Sequence, residues 1–161
     1  MKVRDKLNWK DHWTIRKYAN KTAFEYDQPF EVVRLNQENV LLNTGINELW
    51  ALLAGDSNNV FSEAKAQIGV GDDDTEATAS QTDLLGGNTT YKGMDTGYPS
   101  HGTDQKIRFR AVFEGGEANY DWREMVVRQE DSAICLNRIQ SDQGTKASGQ
   151  IWAVNVDITI E

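Results

Sequence analysis

Residues whose types could do chemistry are concentrated in one acidic stretch that contains glycine, IGVGDDDTEATASQTDLLG at positions 68–86. Three of its carboxylates have the 1-3-5 spacing of an EF-hand calcium loop: Asp72, Asp74 and Glu76. Position 6 of such a loop is Ala77, where the sharp turn needs glycine, and position 12 is Asp83, where a bidentate glutamate is usual. We therefore expect a solvated acidic turn, with a weak cation site of another kind as the alternative.

The same stretch includes a G-x-G at residues 69–71, which is part of a phosphate-binding motif. The third glycine and the following helix of that motif are missing, and the three aspartates would repel a phosphate. His12 and His101 are not accompanied by a G-x-S-x-G, H-E-x-x-H or Cys/His motif. The sequence predicts a protein that is not an enzyme and has no cofactor. The enzymatic alternative rests on scattered carboxylates: Glu114, Glu117 and Glu124.

Charge is unevenly distributed along the 161 residues, whose net charge is −8. Residues 1–22 contain seven lysines and arginines against two aspartates, a balance of +5, whereas residues 56–104 contain nine acids and two lysines, a balance of −7. An acidic chain is a poor binder of nucleic acid, and the apolar runs are too short to span a membrane. The charged N-terminus lacks a secretory signal, and the single Cys135 forms no internal disulfide, so synthesis in a reducing cytoplasm is expected.

Alternation of apolar and polar residues dominates the pattern and predicts antiparallel strands with one buried face. The segments interpreted as strands are 13–18, 23–27, 30–35, 106–113, 120–128, 132–139 and 151–160. Among them, 120–128 alternates less cleanly and 132–139 is a short, mostly apolar run. Residues 69–105 read as a polar excursion too long for an ordinary turn. The prediction is a mainly β protein, an antiparallel β-sandwich or jelly-roll. We divide the chain into a basic N-terminal arm, residues 1–11, and one sandwich domain, residues 12–161.

One helix is predicted at about residues 45–54. Apolar side chains recur there at helical spacing: Ile46, Leu49, Trp50 and Leu53. Asn43 or Thr44 can cap the first turn, and Gly55 occupies the usual position of a left-handed terminator. The apolar stripe is expected to cover one face or one end of the sheets.

Five segments follow one another in a distinctive order: NVLLNTGINELWALLAG, AQIGVGDDDTEATASQTDLLG, YKGMDTGYP, IRFRAVFEGGEANYDWREMVV and LNRIQSDQGTKASGQIWAVNVDITI. In this order, over roughly residues 12–160, the chain resembles a widespread set of tailed-bacteriophage virion proteins. In those proteins a strand and short helix precede an IGxG…TxLxG turn, an AN(F/Y)xWxE strand and a GTKxSGQxWxxxxxIxI strand. The three consecutive aspartates depart from the more neutral turn of that family. The resemblance implies a β-rich structural protein located in the virion.

For the function, the resemblance implies a capsid decoration (cement) protein, expected as a homotrimer that contacts the major capsid protein or another virion protein. The alternative in the same class is a tail, collar or fibre adaptor. The expected docking surface is the basic N-terminal part with its apolar anchors: Lys2, Arg4, Lys6, Leu7, Trp9, Trp13 and Tyr18. Its charges would steer the encounter, and desolvated tryptophan would supply binding energy.

A receptor-binding or glycan-binding β-sandwich module is the alternative from a different class. Tyr91 and Tyr98 lie in the polar segment 86–105, and exposed aromatic rings stack on sugars. The competing interpretation is that both tyrosines pack against their own loop.

Overall fold

The structure, a computed structural model, describes residues 8–36 and 39–160. It confirms the mainly β class, because two five-stranded antiparallel sheets pack face to face as a β-sandwich. Within these described ranges, no helix has both the length and the apolar character needed to cross a membrane.

The first sheet contains the N-terminal strand, the C-terminal strand and three strands from between them. Its strands are β1 Trp9–Tyr18, β2 Glu31–Leu35, β6 Ser100–Thr103, β7 Lys106–Phe113 and β10 Ile151–Ile160. Their spatial order is β2-β1-β10-β7-β6. The long central pair, β1 with β10, is in register from Trp9 opposite Ile160 to Tyr18 opposite Ile151. The N-terminal and C-terminal segments therefore hold each other in place.

The second sheet faces the first across the core. Its strands are β3 Val40–Leu41, β4 Ala66–Gly71, β5 Thr89–Gly93, β8 Asp121–Gln129 and β9 Cys135–Thr145, in the order β3-β9-β8-β4-β5. The helices are α1 Lys21–Glu25 and α2 Asn43–Ala54, and α2 ends at Gly55 in the left-handed conformation with φ 77°. This is the terminator that the sequence predicts.

The predicted strand at residues 23–27 is wrong. Residues 21–25 form α1 instead, because the Asn20 side chain accepts the Ala23 N–H at 2.9 Å and caps the first turn. A segment of five residues is too short for a period of two to be distinguished from one of 3.6. At the N-terminus, β1 begins at Trp9, so the last residues assigned to the basic arm belong to the first sheet.

Aromatic rings join the two sheets in the interior. Trp122 of β8 and Trp152 of β10 meet edge to face with their ring centroids 4.7 Å apart. Phe113 of β7 packs on Trp122 in the same manner at 4.8 Å. Because each ring removes a large apolar area from water and the edge-to-face geometry adds to that gain, these contacts are a main source of sheet-to-sheet adhesion.

A buried carboxylate also bridges the sheets. Asp11 of β1 accepts a hydrogen bond from the side-chain amide of Asn137 in β9 at 3.0 Å, and the Asn39 amide donates to the same oxygen. Burial raises the pKa of Asp11 to about 6, although these amide donors and the nearby His12 favour the charged form. Neutral donors therefore reduce the cost of the buried charge without removing it.

We expect Trp152→Ala to lower the free energy of unfolding by about 3–5 kcal/mol, the usual cost of deleting a buried aromatic ring. Truncation leaves a cavity beside Trp122 because Trp152 is almost fully buried. Urea denaturation measures the loss. The matched control is Trp50→Ala at an exposed tryptophan, expected to cost less than about 1 kcal/mol. Equal losses in the two variants would contradict the placement of Trp152 in the core.

We also expect Asp11 to make folding less favourable as the pH rises. Its folded-state pKa of about 6 lies above the ordinary value of 3.8, so its contribution to stability is present below pH 3.8 and is lost as the pH rises through 6. Relative to Asp11→Asn, the wild-type free energy of unfolding should fall by up to about 3 kcal/mol between pH 4 and pH 7. Urea denaturation across this range is the measurement, with Asp131→Asn as a surface control. A difference that does not change with pH would refute the raised pKa.

Candidate functional site

Residues 72–88, the stretch expected to be a solvated turn, form a cover over the outer face of the second sheet. Leu84 from this cover packs on a buried cluster: Leu42, Val126 and Cys135. The cover also meets the start of α2, where the Asn43 N–H donates to the Ala79 carbonyl at 2.9 Å. Asp74 and Glu76 in its first part are exposed, whereas Leu84 near its end packs on the sheet.

A buried ion pair anchors the cover. Arg138 of β9 donates to the Glu124 carboxylate of β8 at 2.9 Å, and both side chains are fully buried. The same carboxylate accepts the backbone N–H groups of Leu85 and Gly86 at 3.0 and 2.7 Å. The guanidinium in turn donates to the Thr75 carbonyl at 2.9 Å. One ion pair therefore holds both the beginning and the end of the loop.

The glycines of the G-x-G motif are required by close packing. A Cβ on Gly71 would lie 2.4 Å from a carboxylate oxygen of Glu124. A Cβ on Gly69 would lie 2.7 Å from both the Tyr91 ring and the Val126 side chain. The motif thus makes room within β4 for side chains of this chain, including the buried carboxylate.

Of the three carboxylates with calcium-loop spacing, one accepts hydrogen bonds from the protein itself and one lies near a guanidinium. Asp72 accepts the side-chain and backbone N–H groups of Asn88 at 2.6 and 3.0 Å, and these hydrogen bonds lower the pKa of Asp72. Asp74 lies 3.8 Å from the Arg123 guanidinium, and Glu76 is exposed. Within residues 8–36 and 39–160, no group of three or more His, Cys, Asp or Glu side chains is placed to hold a metal ion.

The two tyrosines predicted as sugar platforms lie in different places. Tyr91 belongs to β5, where its hydroxyl donates to Asp83 at 2.7 Å and the Arg128 guanidinium lies over its ring, 4.0 Å from the centre. Tyr98 is half-buried in the loop before β6, in a shallow groove beside Phe61. One ring face of Tyr91 is therefore already occupied, and the two rings do not form a shared platform.

The expected N-terminal docking residues are separated by the fold. Four of them lie outside the described residues: Lys2, Arg4, Lys6 and Leu7. Trp9 is half-buried at the start of β1. Trp13 and Tyr18 are 1% and 2% exposed. Trp13 faces the core between the sheets, whereas Tyr18 lies on the opposite face of β1 and is buried in a second cluster with Phe24 of α1. These two side chains belong to the core and offer no surface to a partner.

Helix α2 presents apolar side chains to solvent. Trp50 is 63% exposed and Leu53 is 78% exposed, so the expectation that the whole apolar stripe is buried is wrong. The helix buries Gly45 and Glu48 instead. A Cβ on Gly45 would lie only 2.6 Å from the Leu136 Cα, so the helix backbone rests directly on β9. This contact orients the helix with its tryptophan outward.

Helix α2 also borders a groove at one end of the sandwich. Leu49, one turn before Leu53, lines this groove with Trp9, Ile158 and Ile160. Apolar side chains of this kind, gathered beside a polar rim, are typical of a protein contact site. We name this surface the apolar face and define it by five residues: Trp9, Leu49, Trp50, Leu53 and Ile160. Sequence reasoning missed it as a site because its helical members have the spacing of a core stripe.

The chain matches no protein-family model, no curated protein and no solved structure. By its fold and candidate site, the protein is a mainly β sandwich with a loop cover on one sheet and an exposed apolar face.

We expect Glu124→Gln to lower the free energy of unfolding by about 3–5 kcal/mol, because it removes the fully buried counter-charge of Arg138 and leaves only the part-exposed Asp73 at 3.6 Å. Proteolysis within residues 72–88 should also become faster, since the cover loses a charged anchor. Denaturant titration and limited proteolysis read by mass spectrometry are the measurements. Arg16→Gln in the first sheet, which removes a part-exposed ion pair with Asp27, is the control and should cost at most about 1 kcal/mol. If Glu124→Gln and the control were cleaved equally fast, the anchoring role would be wrong.

Proposed function

We propose that the protein is a non-enzymatic structural protein of a tailed-phage virion, most simply a capsid decoration (cement) protein. The observation that carries the proposal is the apolar face, in which Trp50 and Leu53 are largely exposed on an ordered helix. Contact with another subunit would remove these side chains from water, at about 25 cal/mol for each Å² of apolar surface. Tryptophan is also among the residues that most often dominate binding energy at protein interfaces.

The order of sequence motifs supports the virion setting. The glycine that ends IGxG is Gly71, the glycine of TxLxG is Gly86, and the glutamate of AN(F/Y)xWxE is Glu124. In the fold these three residues meet, because Gly86 donates its N–H to the Glu124 carboxylate and Gly71 leaves space for it. Motifs far apart in the sequence thus form one structural unit, as expected if the resemblance extends over the whole domain.

The partner that we propose is the major capsid protein or another virion protein, with further copies of this chain arranged as a homotrimer. Exposed acidic residues of the cover, Asp74 and Glu76, would face solvent, and the apolar face would meet the neighbouring subunit. Many weak contacts repeated by symmetry give a decoration protein strong attachment. A tail, collar or fibre adaptor would use the same face at a different position in the particle.

We expect Leu53→Lys to reduce attachment to virions at least tenfold, because it places a charge in the centre of the apolar face. The assay is re-binding of the purified protein to particles stripped of it, with occupancy and location read from a cryo-EM map. Leu85→Lys, at an exposed leucine outside the face, is the matched control and should bind normally. A chain lacking residues 1–7 tests the basic arm in the same assay, and it spares β1, which begins at Trp9.

Full occupancy by Leu53→Lys would show that the apolar face is not the docking surface. A map that places the protein on the tail would replace the decoration role by the adaptor role.

A further inference from the structure

A lysine is buried where the β7–β8 turn meets the loop before β10. Lys146 is fully buried, and its Nζ donates to the Glu114 carbonyl at 2.8 Å and to Asn119 Oδ1 at 2.9 Å. Burial lowers the pKa of Lys146 to about 8, although the carboxylates of Glu117 and Glu114 oppose the shift. A large fraction of this amine is therefore neutral at pH 8, and a neutral amine is a nucleophile.

The side-chain amide of Asn119 is held against this amine. Its Nδ2 donates to the Gly115 carbonyl at 3.0 Å while its Oδ1 accepts from Lys146, so both ends of the amide are fixed. The Gly149 N–H donates to the same Gly115 carbonyl at 2.9 Å and ties the two loops together. Because Cγ is only about 1.2 Å from Oδ1, the amine nitrogen and the amide carbon are close neighbours.

We propose that Lys146 and Asn119 form an intramolecular isopeptide bond. Nζ attacks Cγ, the Nζ–Cγ bond forms, the Cγ–Nδ2 bond breaks, and one proton of Nζ passes to Nδ2, which leaves as ammonia. The reaction consumes one amine and one carboxamide and needs no oxidant, reductant or further reactant. The nearby Glu117 carboxylate interacts electrostatically with Lys146, but it accepts its hydrogen bonds from Lys92 and the Glu114 N–H, so we assign it no part in the proton transfer.

The bond would connect the turn that precedes β8 in the second sheet to the loop that precedes β10 in the first. It would therefore staple the sandwich at the end where Trp122 and Trp152 meet. This inference does not depend on the proposed function, because it concerns only the chain itself.

The test is the intact mass of the purified full-length protein after incubation at pH 8.5. We expect a mass lower than that of the sequence by about 17 Da, the mass of the ammonia lost. Trypsin should then release a branched peptide made of residues 111–123 and 139–161, with no cleavage after Lys146. An intact mass equal to that of the sequence overturns the proposal.

Two variants separate the isopeptide bond from other losses of ammonia. Lys146→Arg keeps a cationic donor but removes the nucleophile, so the mass decrease should disappear. Lys65→Arg, at an exposed lysine paired with Asp131, is the matched control and should retain it. A decrease that persists in Lys146→Arg would indicate a cyclic imide at an asparagine and would also overturn the proposal.

Discussion

The Glu124–Arg138 ion pair is the interaction on which the outer part of the second sheet depends. Two charges without exposure to water are costly unless each lies against its counter-charge and gains further hydrogen bonds. Here the carboxylate accepts N–H groups from Leu85 and Gly86, and the guanidinium donates to the Thr75 carbonyl. A segment rich in glycine, threonine and aspartate is thereby held in place, and it covers the Leu42, Val126 and Cys135 cluster. Without the pair, those side chains would be open to water.

The cover and helix α2 depend on each other through the same face of the sheet. The loop carbonyl of Ala79 accepts the Asn43 N–H at the helix start, and Gly45 brings the helix backbone onto β9. Close backbone contact at Gly45 leaves no space for a side chain at that position, while Glu48 is buried and Leu49 packs against the core. Trp50 and Leu53 of the apolar stripe project away from the sheet. The fold therefore has a well-packed interior and still exposes an apolar face. A helix that packs closely on a sheet with one side and exposes apolar side chains on the other is typical of a protein contact surface.

Buried polar groups recur where the two sheets or their connecting loops meet. Asp11 links β1 to β9, and Lys146 links the β7–β8 turn to the loop before β10. Each is surrounded mainly by neutral partners, so burial shifts its pKa toward the uncharged form. Such groups add directional contacts to a core whose aromatic packing has little directionality. They specify how the sheets align, and their burial makes the charge of these positions sensitive to pH.

The sequence by itself determined the local geometry of the long elements. Alternation over 106–113 and 151–160 corresponds to β7 and β10, and the helical spacing before Gly55 corresponds to α2, because these periods arise from backbone geometry within one segment. Tertiary structure decided which face of α2 is buried, that residues 72–88 cover a sheet, and that Glu124 meets groups 38 and 39 positions away. It also decided that Trp13 and Tyr18 are core residues and not docking residues. Periodicity shows that a segment has two different faces, but what lies against each face depends on chain topology and close backbone contacts, which no local pattern encodes.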